Sequence, residues 1–259
     1  MSGLIPNASK SVVFFGNVPS ATQDFSIATS GFNRGVLPVI YLGLPLVSGK
    51  LSLRDCQPLL LKISSKMETW GNKYISQAGR AQLIRSVIYG LQGHWSDCLF
   101  LPKNILKKIQ SIMAKFLWKG TQQGPCFYKV AWKHCCLKKT EGGLGFKELL
   151  GWNQCVLQWQ IWRIIRQEEH SLWLIWISKY LLRRRAFWTM QVPDKCSWGL
   201  RKILNARASV LQRVTYRVGR NSCFLLWHDP WCLRSPLLNR YGARAIRLWN
   251  LRTWRLLVP

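Results

Sequence analysis

A mainly α fold is predicted: a helical bundle preceded by a short β/loop segment and followed by Trp-rich helices and a β-hairpin. Three observations carry this. Apolar residues recur at three- and four-residue spacing through most of the stretch from residue 53 to residue 214, the repeat of one helix face. Extended-type runs bounded by Gly, Pro, Asn and Ser are confined to the two ends, at 12–15, 39–42, 215–218 and 223–227. With 259 residues, 48% of them hydrophobic, the chain has enough apolar material to bury a core.

Taken in order, residues 1–50 are strand and loop territory. The first helix begins after Leu53, where Cys56, Leu60, Ile63, Met67 and Trp70 fall on one face and Lys62 and Lys66 lie elsewhere. In the second, Leu83, Ile84, Val87, Ile88 and Leu91 form the buried stripe, and Arg80 and Arg85 project off it. Pro102 suits the opening of a third helix, because proline lacks the N–H that the first turn leaves unpaired. Its core face is Leu106, Ile109, Met113, Phe116 and Leu117, with Lys108, Lys115 and Lys119 on another face. Past Gly120 the pattern loosens, and Gly142-Gly143-Leu144-Gly145 marks a flexible turn. A fourth helix, 147–166, is apolar nearly all round and is expected to be central. A fifth, 171–182, ends in Arg183-Arg184-Arg185, and a sixth spans 200–214. Trp118, Trp152, Trp159, Trp162, Trp173 and Trp176 sit at helical spacings among apolar neighbours, so most are expected in the core. The residues 219–222 between the last two β-type runs suggest a hairpin. Domains are expected at 1–50, 51–150 and 151–239, with 240–259 a basic tail and a candidate for disorder.

Charge gives the strongest functional signal. The 38 Lys and Arg against 10 Asp and Glu make a net +28, which repels itself unless a polyanion neutralises it. Residues 1–50 carry 3 basic and 1 acidic residue, 51–150 carry 16 and 5, and 151–259 carry 19 and 4. Nucleic acid is therefore the expected partner, met by residues in the last four fifths. The residues expected to contact phosphates are Lys62, Lys66, Lys73, Arg80, Arg85, Lys108, Lys115, Lys119, Arg183, Arg184 and Arg185.

Catalytic chemistry is poorly supplied. A two-metal nucleotidyl-transfer or nuclease site needs converging carboxylates. Asp24, Asp55, Asp97, Asp194 and Asp229 are isolated, and the adjacent Glu168 and Glu169 fall at a polar helix end. Cys223, His228 and Cys232 form C-x4-H-x3-C, and His134, Cys135 and Cys136 are contiguous. Structural zinc closes with four ligands and usually opens with a C-x2-C pair, so no catalytic residues and no metal are expected. Nine cysteines without a secretory signal favour reduced thiols. The run 35–49 is too short for a membrane span, which needs about 18 apolar residues. An intracellular protein is expected, nuclear or cytoplasmic and not secreted.

Several segments, in register, resemble a known family. "GLIPNASKSVVFFG", "YLGLPL", "WGNKYISQAGRAQLIRSVIYGLQGHW", "FLWKG", "KVAWKHCCLKKTEGGLGF" and "FLLWHDPW" are similar to the C-terminal part of plant LINE-type non-LTR retrotransposon reverse transcriptases. The resemblance covers roughly residues 2–240. It implies a chain that begins just after the catalytic palm with its Tyr/Phe-x-Asp-Asp loop, so that 1–50 is a palm remnant and 41–46 the palm-to-thumb junction. The helices that follow would form a thumb that grips a template-primer duplex. Implied partners are RNA, an RNA–DNA hybrid or a DNA duplex, bound through phosphates, with an upstream palm domain acting in trans. Mg²⁺ would belong to the full-length RNA-directed DNA polymerase and not to this chain, for which no cofactor and no polymerase activity are expected. The family's Cys/His segment lies beyond the Phe-x-x-Trp-x-Asp-x-Trp-like stretch, and residues from 240 onward fit the pattern poorly. Two other readings compete: a decayed retrotransposon reading frame without function, and a basic amphipathic protein at a membrane surface.

Overall fold

The computed structural model describes residues 7–257 apart from 17, 48, 72, 123, 167–170, 184, 195, 218–222, 233–234 and 249–254. It is mainly α. Near the N-terminus, β1 (Val12–Val13) and β2 (Asn33–Arg34) pair in parallel around α1 (Ser20–Ser30). The sequence reading missed α1, for a physical reason. It buries no residue and has no apolar stripe; Ser26, Thr29 and Ser30 instead bond the carbonyls four residues back, and Gly31 ends it in a left-handed conformation. Next, β3 (Val39–Tyr41) and β4 (Leu44–Leu46) form an antiparallel hairpin, and Leu44 anchors it in the core.

The first core is built by α2 (Gln57–Gly71), α3 (Gln77–Leu83), α4 (Tyr89–Cys98) and α5 (Lys103–Lys119), with α6 (Trp132–Cys135) and the start of α7 (Leu149–Arg166). Ser76 caps α3 by accepting from the Gly79 N–H. A π-helical segment (Ile84–Ile88) joins α3 to α4. Ile63, Met67, Ile84, Ile88, Ile105, Leu106, Ile109, Met113, Phe116 and Leu117 are fully buried, as the apolar stripes require.

A second core lies around the far end of α7. It takes Ile161 and Ile164 from that helix, Leu174 from α8 (Leu172–Trp176), Ile177 from the π-helical segment that follows (Ile177–Leu182), Leu200, Ile203 and Leu204 from α9 (Trp198–Asn205), and Val210 from α10 (Arg207–Leu211). The helix expected over 200–214 is thus two, broken at Ala206. α7 alone contributes to both cores among the described helices.

Two expectations are corrected here. The hairpin expected between 215–218 and 223–227 does not form: 215–217 are irregular, 218 lies outside the described residues, and β5 (Cys223–Leu225) pairs antiparallel with β6 (Arg255–Leu257). Tyr216 is held by another bond, its hydroxyl accepting from Trp188 Nε1 at 3.0 Å. Helix α11 (Leu237–Leu248), interrupted at Gly242, precedes β6. Second, Trp152, Trp159, Trp162, Trp173 and Trp176 are not core; each is between 38% and 53% exposed. An all-round apolar helix is buried only where neighbours cover it, and α7 is covered by α4 and α5 near its start and by α9 and α10 further along.

Candidate nucleic-acid interface

The C-terminal ends of α2 and α5 meet. A Cβ on Gly71, the last residue of α2, would lie 2.6 Å from the carbonyl oxygen of Gly120, which caps α5, so this approach requires glycine. The Trp70 and Phe116 rings pack 5.9 Å apart beneath it. The junction collects basic residues: Lys66 lies one turn before Gly71, Lys73 just after it, and Lys119 beside Gly120. Lys62 and Lys66, one turn apart on α2, line a shallow groove with Ser65, Thr69 and Trp70. On α5, Lys108, Lys115 and Lys119 fall within about 40° of one another around the helix axis at 100° per residue, off the buried stripe. Lys62, Lys66, Lys73, Lys108 and Lys119 are exposed and Lys115 is half-buried. Lys119 Nζ donates to the Pro125 carbonyl at 2.8 Å.

The two arginines of α3 and the π segment are placed differently from the lysines. Arg80 is half-buried; its Nε donates to the Ile75 carbonyl at 3.1 Å and its Nη1 to the Leu117 carbonyl at 3.5 Å. It thereby satisfies a carbonyl in the last turn of α5, where a cation also meets the negative end of the helix dipole. Arg85 donates to the Leu144 carbonyl and lies over the Phe146 ring, 4.9 Å from its centroid. It pins the glycine turn, which is compact and internally bonded: Leu144 N–H donates to Cys135 O and Gly145 N–H to Leu137 O. Arg183, in a left-handed conformation that ends the second π segment, and Arg185 are both exposed, in the stretch between Leu182 and Phe187 of the second core. Arg184 lies outside the described residues.

Several of the acids serve the backbone. Asp55 accepts from the Ser52 N–H and hydroxyl, which hold its carboxyl below the usual range. Glu148 accepts from the N–H groups of Leu150 and Gly151 at the start of α7, and Asp229 from that of Leu225. These carboxylates complete turns and helix starts, and among the described residues no acid is bonded to the lysines of α2 and α5 named above.

Among the described residues, no three His, Cys, Asp or Glu side chains are grouped so as to hold a metal ion. Burial pushes the Cys56 and Cys136 thiols up to about 11 and raises that of Cys135, which keeps them protonated and poor nucleophiles. His228 Nδ1 sits 2.7 Å from Thr189 Oγ1. No described helix is long and apolar enough to cross a membrane.

The sequence reading missed two groups. One is Arg207, half-buried, which donates to the carbonyls of Leu204, Phe187 and Met190. The other is a cleft of about 410 Å³ between the ends of α4, α8 and α9. Its signal was available only as tryptophans whose exposure a helical pattern does not reveal.

With this geometry in place, the chain can be compared with known proteins. No family model matches it. It is 29% identical over 198 residues, 75% of its own length, to a putative ribonuclease H protein of Arabidopsis thaliana. It is also 29% identical over 143 residues, 54% of its length, to an uncharacterized mitochondrial protein of the same plant. The aligned part is 32% of the first relative and 92% of the second. The chain thus spans about a third of the ribonuclease H-named protein and nearly all of the mitochondrial one.

Proposed function

We propose that the chain is a nucleic-acid-binding module of a retroelement protein, the thumb and connection region of a LINE-type reverse transcriptase, that holds a duplex by its phosphates. The observation that carries this reading is the set of lysines along α2 and α5, mostly exposed, with Lys66, Lys73 and Lys119 close to the junction of the two helices. The similarity to a protein named as a putative ribonuclease H, a nucleic-acid enzyme by that name, and the segments that resemble plant reverse transcriptases support it. In this reading Lys62, Lys66, Lys73, Lys108, Lys115 and Lys119 meet phosphates, as do the exposed Arg183 and Arg185. Arg80 and Arg85 hold the shape that presents the lysines. RNA, a hybrid or a DNA duplex would all be gripped through the backbone, so binding follows charge and helix shape more than base sequence. Among the described residues no carboxylate cluster for two metals occurs, and polymerase chemistry with Mg²⁺ would come from a palm domain elsewhere.

The test is a titration of duplex RNA and RNA–DNA hybrid against ionic strength. The logarithm of affinity should fall with the logarithm of salt concentration by roughly 0.7–0.9 per phosphate contacted. Lys62→Gln with Lys66→Gln and Lys73→Gln should reduce that slope by up to about three contacts without lowering the melting temperature. A slope near zero for the parent chain would overturn the reading.

A further inference from the structure

The cleft of about 410 Å³ lies in the size range of small-ligand sites and is separate from the lysine rows of α2 and α5. Trp173 and Trp176 of α8 form one wall, and Trp198, in the first turn of α9, forms another. The two α8 indoles keep 38% and 50% of their surface in contact with solvent, so aromatic area remains for a ligand to cover. Asp97 and Gln160 also line it, with Gln160 Nε2 donating to the Asp97 backbone carbonyl at 3.4 Å and Gln160 Oε1 accepting from Arg163.

The rim is cationic. Lys202 Nζ lies 4.5 Å from the centroid of the Trp198 ring and 6.0 Å from that of Phe100. Lys50 sits between the lining residues Gly49 and Leu51, and Lys103 follows Leu101 at the start of α5. Burial, and then the charges of Lys50 and Lys103, pull the Lys202 ammonium below the ordinary lysine range. Lys202 thus stands over two aromatic lining residues, and Lys50 and Lys103 lie within three residues in sequence of the lining Gly49, Leu51 and Phe100, a cationic setting that an anion relieves.

We infer that this cleft binds an unpaired nucleotide of a single strand, its base stacked on Trp173 and Trp176 and its phosphate held by Lys50, Lys103 and Lys202. An apolar peptide or lipid tail would cover the indoles and leave three cations uncompensated at the mouth. A blunt duplex presents phosphates but keeps its bases stacked within the helix. A single-stranded nucleotide satisfies both halves of the site, because every base has a π-face and each carries a phosphate. The inference rests on the nucleic-acid reading above and adds to it a site for the single strand beyond a duplex end.

The experiment uses the full chain and three probes: a blunt RNA–DNA hybrid, the same hybrid with a single-stranded overhang, and one whose overhang is abasic. The base-bearing overhang should raise affinity about 5- to 100-fold over the blunt hybrid, the range one stacked base gives, and the abasic overhang should add much less. Trp173→Ala with Trp176→Ala should erase that gain and leave blunt-hybrid affinity within twofold. Trp176→Tyr should keep most of it, and thermal melts of each variant confirm folding. An overhang that adds nothing, or an abasic one that adds as much, overturns the inference while blunt-hybrid binding keeps the duplex reading intact. Loss of the gain in Trp176→Tyr as well, with folding intact, also overturns the stacking role. Failure of the parent to bind any of the three overturns both readings.

Discussion

Replacing Arg80 with alanine should unfold the chain more readily and should not act mainly on ligand affinity. The guanidinium donates to the carbonyls of Ile75 at 3.1 Å and Leu117 at 3.5 Å, and it stands against Gly120, where the ends of α2 and α5 meet. A hydrogen bond from a charged donor contributes about 1.5–3 kcal/mol. Counting the shorter bond in full and the longer, at the limit of hydrogen-bond length, at a fraction, the loss comes to about 2–4 kcal/mol. For a chain of this size each kcal/mol moves the melting temperature by roughly 2–4 °C, so Arg80→Ala should melt roughly 5–15 °C below the parent. Lys62→Ala, on an exposed face of α2, should stay within about 0.5 kcal/mol. Arg80→Lys should recover only part of the loss, since a single ammonium does not span both carbonyls as the planar fork does. The assay pairs denaturant or thermal unfolding with affinity for a hybrid duplex, measured at a temperature where every variant is folded. If Arg80→Ala melts with the parent while its affinity drops like that of a lysine variant, the guanidinium faces the ligand and the structural argument is refuted.

Other perturbations separate packing from charge. Arg207→Ala removes the donor to three carbonyls around the second core and should cost about 2–4 kcal/mol in an unfolding titration. In Gly143→Ala the new methyl would sit 2.2 Å from the Leu137 carbonyl oxygen; overpacking of this kind should destabilise by about 1–3 kcal/mol, seen as a lower melting temperature. Burial lowers the His228 pKa from its ordinary 6.5, so the unfolded chain takes up the proton first. Stability should be full above pH 6.5 and decline as pH falls from there through the lowered folded-state value. His228→Gln should flatten that part of a stability–pH curve; an unchanged decline would assign it to another group.

Much of this was legible in the sequence because it depends on period alone. The stripe Leu106, Ile109, Met113, Phe116 and Leu117 can bury only one face, and α5 buries that face. The loosening of the pattern past Gly120 marks the end of α5, which Gly120 caps. Where neighbours decide, period was silent. Arg80 and Lys73 look alike as cations near a stripe, but only Arg80 lies within reach of a carbonyl in α5, 37 residues away in sequence. Trp159 and Ile161 are both apolar positions on α7, and exposure differs because the second core covers one and not the other. The strand at Cys223 needed a partner, and the one it takes, Arg255–Leu257, lies in a stretch whose basic composition gave no strand signal.

Helix α7 sends Leu149 into one core and Ile161 and Ile164 into the other. At 1.5 Å per residue, the fifteen steps from Leu149 to Ile164 make a rod of about 22 Å. A shaft seated at both ends in packed side chains transmits torque but does not stretch. It fixes the spacing of the two cores along its length and makes them mechanically dependent: loosening the seat of Leu149 would tilt the far end as well, before either core had come apart.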